Sequence, residues 1–144
     1  MTDNYDRAGY AGQSVGFGER PAVVTVDFQL GFTDPQYPAG GSPYIVSAVE
    51  ATGTLLKHAR AKGLPVASCN VGWCGPEDMS YWKVSSLYDG SFFHGHPSME
   101  LDPRIYEKDY DVVFTKSAPS IFLQTPLMLY ITKKRVDNVI IKGC

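Results

Sequence analysis

Four short β-branched runs, spaced too far apart for hairpins, constrain this chain more than any other feature. They are Ala22-Val23-Val24-Thr25-Val26-Asp27 after Pro21, Pro65-Val66-Ala67-Ser68-Cys69-Asn70-Val71, Asp111-Val112-Val113-Phe114-Thr115, and Val136-Asp137-Asn138-Val139-Ile140-Ile141. Such runs, bounded by turn residues, read as buried strands. After the first run, Pro43 suits a first helical turn, and Ile45, Val49, Leu56 and Ala59 recur at near-helical spacing. Lys57, His58 and Arg60 gather near the end of that segment, and Gly63 is a natural stop. Leu127, Met128 and Ile131 mark a second helix, closed by Lys133, Lys134 and Arg135. The order is βα-β-loop-βα-β. It predicts an α/β fold, a parallel sheet with helices on both faces and right-handed crossovers. All strand C-termini then share one edge, where open α/β sheets bind their ligands.

A chain of 144 residues is one domain of ordinary size. Residues 1–20, rich in Gly, Tyr and polar side chains, read as an N-terminal arm that lies on a surface or reaches a neighbour. Residues 21–144 read as the α/β domain. A parallel strand in last position has no following helix to cover it. That strand is therefore expected at a sheet edge, or the domain is expected to continue past residue 144. The stretch 72–103 shows no clean period and holds Trp73, Tyr81, Trp82, Tyr88, Phe92, Phe93, His94 and His96. A loop this long in a compact domain is usually functional.

Composition excludes several classes. Thirteen Lys+Arg against fifteen Asp+Glu give a net charge of −2, no excess for neutralising phosphates, so nucleic acid is not an expected partner. No apolar run approaches the roughly eighteen residues that span a bilayer, and the first twenty carry no signal-peptide core. Neither a membrane nor a secretory route is expected. Three cysteines make no disulfide framework and fit a reducing cytoplasm. Gly9, Gly12, Gly16 and Gly18 precede the first strand, whereas a dinucleotide fingerprint follows one, so no such cofactor is expected. Cys69 and Cys74 lack a second pair of ligands, so no metal is expected, and Cys69 reads as a buried strand residue.

The chemistry gathers at two strand ends. Asp27 closes the first strand and Lys116 the third. A carboxylate and an ammonium at that edge shift each other's pKa and can deprotonate a third group, such as a nucleophilic thiol. The same two residues also fit a plain salt bridge or two solvated charges. Phe32 and Trp82 suit the wall of a small substrate pocket, and equally a core.

These residues carry a resemblance. Val26-Asp27-Phe28-Gln29-Leu30-Gly31-Phe32-Thr33-Asp34-Pro35 resembles the first motif of the isochorismatase-like cysteine hydrolases, on the branch of the N-carbamoylsarcosine and maleamate amidohydrolases. Phe114-Thr115-Lys116-Ser117-Ala118-Pro119-Ser120-Ile121-Phe122 is similar to the family's lysine motif, and Val136 to Cys144 is similar to the strand leading to its nucleophile turn. The resemblance implies an Asp-Lys-Cys triad, with Asp27 as general base and Lys116 supporting the thiolate. Its nucleophilic cysteine falls about five residues beyond Cys144, counted on the family's spacing. Cys144 then occupies the approach to the nucleophile and oxyanion turn; the other reading makes Cys144 the nucleophile. Nicotinamidases, a related branch, bind a metal through an Asp-x-His after the second strand; Val71-Gly72-Trp73-Cys74 has none, and His94 and His96 read as loop or interface residues. The implied activity is hydrolysis of a small carboxylate-bearing amide or N-carbamoyl compound, with release of ammonia through a thioester and without a cofactor. Vinyl-ether hydrolysis on the same fold and a non-catalytic interaction subunit are the alternatives. A homo-oligomer is expected, since the arm and the aromatic loop offer surface to bury.

Overall fold

A computed structural model describes residues 3–10, 12–14 and 16–144. Residues 1, 2, 11 and 15 of the expected arm lie outside the described residues. The elements are α1 (Asn4–Arg7), β1 (Pro21–Val26), α2 (Leu30–Thr33), α3 (Pro43–Ala61), β2 (Val66–Val71), β3 (Val112–Lys116), α4 (Leu127–Lys133) and β4 (Asn138–Gly143). The strands form one parallel sheet in the order β3-β2-β1-β4.

Alternation along β1 sends neighbouring valines to opposite faces. Val23 packs with Val49, Leu56, Ala59 and Val66 beneath α3. Val24 packs with Ala67, Cys69, Leu127 and Ile131 beneath α4. Helices therefore cover both faces, as the strand–helix alternation requires. Pro43 is the first residue of α3, where its missing N–H costs nothing. At the other end the Leu64 N–H donates to the Ala59 carbonyl at 3.0 Å and the Gly63 N–H to Arg60 at 2.9 Å. This is a Schellman closure, and Gly63 takes the left-handed φ of +69° that it needs.

The last strand begins at Asn138, two residues later than its β-branched run. Arg135 turns left-handed at φ 54°, and the Asp137 carboxylate accepts the N–H groups of Glu19 and Arg20 at 3.0 and 2.9 Å. Asp137 thus ties the end of the arm to the start of β4. The one-turn α2 carries no sequence period; it forms where Gly31 lets the backbone approach the Phe92 ring, since a Cβ there would lie 2.9 Å from Cζ. The aperiodic stretch 72–103 holds three 3-10 turns, Pro76–Asp78, Ser85–Tyr88 and Pro97–Met99. No helix among the described residues is long and apolar enough to cross a membrane.

Candidate active site

β1 ends at Val26, and Asp27 leaves the strand with φ 62°. This is an uncommon backbone for a non-glycine residue, though Asp tolerates it better than most, and such strain gathers at functional sites. The turn has a geometric consequence. Regular alternation would send Asp27 to the α3 face with Val23, whereas Phe114, two residues before Lys116, packs on the α4 side. Breaking the alternation brings the Asp27 carboxylate to Lys116. The Lys116 ammonium donates to Asp27 Oδ2 at 2.9 Å, and Lys116 is only 2% exposed. The other carboxylate oxygen, Asp27 Oδ1, is buried and accepts no hydrogen bond among the described residues.

The electrostatics follow from burial. Desolvation pushes the Asp27 carboxyl above its ordinary range, while the charge and hydrogen bond of Lys116 pull it down. Cys69 sits on β2, the strand between the two charged residues, and is fully buried. Burial, with the Asp27 charge second, pushes its thiol up to about 12. Cys69 is therefore a protonated, apolar strand residue, as its sequence context suggests.

Cys144 follows β4, whose register pairs Gly143 with Val26. The residue after Gly143 thus lies beside Asp27, and the Cys144 thiol donates to the Asp27 backbone carbonyl at 2.8 Å. The same two causes, burial first and the Asp27 charge second, push this thiol up to about 12. Three sequence-derived residues, Asp27, Lys116 and Cys144, are therefore brought together at one sheet edge.

Phe32 and Trp82 lie in a separate aromatic cluster with Val71, Trp73, Leu87 and Phe92. Phe32 stacks tilted on Phe92 at 4.8 Å, and Trp82 meets Trp73 edge-on at 5.7 Å. The cluster borders the charged pair, because Trp73 Nε1 donates to the carbonyl of Ser117, next to Lys116. The Trp82 Nε1 is buried without a partner among the described residues. Of the two histidines, His96 turns its ring onto Ser98 and caps a 3-10 turn. Cys74 is exposed and its amide donates to Asp78, away from buried Cys69. Sequence reading gave no role to Gln29, whose side chain is fully buried and bonded to Val71. A glutamine two residues past a strand-end aspartate was the available signal.

A buried Asp–Lys pair stands at the strand C-termini of a parallel α/β sheet, the edge at which such sheets bind ligands. The family of the chain is shown by comparison. The isochorismatase domain matches residues 21–144, and the chain belongs to that family. It is 32% identical over 144 residues to the maleamate amidohydrolase of Pseudomonas putida, covering 99% of this chain and 66% of the relative. It is 30% identical over 152 residues to an N-carbamoylsarcosine amidase of an Arthrobacter species, covering 99% of this chain and 55% of that protein. The chain thus spans between about half and two thirds of the curated relatives it matches. The N-carbamoylsarcosine amidase of Thermoplasma acidophilum shares the fold with a TM-score of 0.72 at 24% identity, over 87% of this chain and 68% of that structure. A cysteine hydrolase from Pseudomonas syringae gives 0.75 at 25% identity, over 87% and 59%.

Proposed function

We propose that this chain carries the acid–base pair of a cysteine amidohydrolase acting on a small carboxylate-bearing amide or N-carbamoyl compound. The observation that carries the reading is the divided Asp27 carboxylate. One oxygen is held by Lys116 and the other is buried and has no partner among the described residues. A buried acceptor left open at a strain-bearing turn suits a group that must take a proton. The amidase names of the curated relatives support the substrate class.

In this mechanism Asp27 Oδ1 takes the proton of a thiol carried by the chain that leaves β4. The thiolate attacks the amide carbonyl carbon, and backbone N–H groups stabilise the oxyanion. The C–N bond breaks as protonated Asp27 returns its proton to the departing ammonia. Water, deprotonated by Asp27, then cleaves the thioester and restores the thiol. Lys116 keeps Asp27 ionised at the start and stabilises the thiolate beside it. Cys144 stands at the approach to the nucleophile, since its own thiol is held protonated against the Asp27 carbonyl. Phe32 and Trp82 wall the substrate pocket, and no step calls for a cofactor or metal. Three free cysteines suit a reducing cytoplasm. Exposed Met128 and Leu129 on α4 suit a homo-oligomer.

A panel of small amides, N-carbamoyl acids and an isochorismate-type vinyl ether tests the reading. Ammonia release from an amide or carbamoyl compound is expected. Pyruvate release from the vinyl ether alone would replace it with the family's other chemistry.

A further inference from the structure

We propose that Gln29 is the positioning residue that holds the Asp27 carboxylate against Lys116. This rests on the reading of Asp27 and Lys116 as the working pair. The Gln29 carboxamide imitates a peptide group. Its Oε1 accepts the Val71 N–H at 2.7 Å, and its Nε2 donates to the Val71 carbonyl at 3.1 Å. The remaining Nε2 proton faces the Met99 sulfur at 3.5 Å. Gln29 is wholly buried, so these contacts have no water to replace them.

The need for such a contact follows from the turn. Once Asp27 adopts its left-handed φ, the chain has left the β1 ladder, and only the Asp27 N–H still reaches β2, at the Cys69 carbonyl. On the outer side, Leu30 donates to Glu100 and Asp102 to Phe28. On the inner side, Gln29 takes over the donor and acceptor that a further strand residue would have given β2. The backbone it grips leads to Lys116: Val71 is the register partner of Lys116, and the Gly72 N–H donates to the Lys116 carbonyl at 3.0 Å. One side chain thus links the aspartate's turn, across the middle strand, to the lysine's strand.

The titration of Asp27, followed by carboxyl carbon NMR, reads this directly. The titratable neighbours of that carboxyl are Lys116 and the thiols of Cys69 and Cys144. Gln29→Met removes both hydrogen bonds at similar volume, loosens the lysine contact and is expected to raise the Asp27 pKa above the parent's. Gln29→Asn keeps the amide but falls one methylene short; it is expected to shift Asp27 in the same direction and serves if the methionine variant does not fold. Thr25→Val, which breaks the buried Thr25–Ser68 hydroxyl pair between β1 and β2, is expected to leave Asp27 unmoved. An Asp27 titration unchanged in the folded Gln29 variants, or moved equally by Thr25→Val, would overturn the proposal. The measurement needs no turnover, so its failure is separate from failure of the functional reading, which absence of ammonia release reports.

Discussion

Lys116 and Asp27 meet at 2.9 Å although β2 lies between their strands. Two strand spacings, about 9.6 Å, separate β3 from β1. The long lysine stem and the left-handed turn at Asp27 close that gap together. The flexible lysine stem carries its compact ammonium head across the span, and it arrives almost fully desolvated. The pair is therefore set by the strand order and by the turn at Asp27 together.

Removing the cation exposes what it does. Lys116 lowers the Asp27 carboxyl pKa through its charge and hydrogen bond, against burial. In Lys116→Met the carboxyl is expected to rise further above its present, already raised value. A raised folded pKa means that the folded state holds the proton more tightly than the unfolded one. Stability is then fully present below the ordinary value of 3.8 and is lost as pH rises through the folded pKa. Carboxyl NMR and urea unfolding across pH check both parts, and the variant's loss should extend to higher pH than the parent's.

The three thiols should separate by reactivity. Cys74 is exposed and is expected to alkylate first with iodoacetamide. Cys144 is exposed as well, but with its pKa pushed up to about 12 its thiol should react more slowly than a free thiol at pH 8. Cys69 should stay protected until the protein unfolds. Site-resolved mass spectrometry gives all three rates, and a fast Cys144 would restore it as a candidate nucleophile.

Much of this arrangement was legible in the sequence. The four β-branched runs gave the strands, Pro43 and Gly63 bracketed α3, and the strand-end positions of Asp27 and Lys116 pointed to one edge. Strand order was not legible, because alternation of elements fixes parallel pairing without saying that β2 separates the two charged residues. Nor was the Gln29 contact, since a side chain that imitates backbone leaves no periodic trace. The stretch 72–103 lacked a period for a different reason. It is held by contacts such as Trp73 Nε1 to Ser117 and His94 N–H to the Trp73 carbonyl, which connect distant or irregular positions.

The arm's attachment should depend on acid. Backbone N–H groups of Glu19 and then Arg20 hold the Asp137 carboxyl below its ordinary value. A lowered folded pKa contributes stability above 3.8 that is lost as pH falls through the folded value. Asp137→Ala is expected to unfold at lower urea than the parent at neutral pH. The two curves should converge as the solution is acidified.

Gly63→Ala isolates a backbone effect. An added Cβ meets nothing within 4 Å, so only the left-handed φ of +69° resists it. A loss of about 1 kcal/mol is expected, with an unchanged urea dependence.

The base assignment is tested most directly by Asp27→Asn in the gene's full product, assayed for ammonia release beside the parent. Asparagine keeps the shape and can still accept from Lys116, but it cannot take a thiol proton. The parent is expected to turn over an amide or N-carbamoyl acid, and the folded variant to fall by about a thousandfold or more. Parental rates in Asp27→Asn would contradict the account.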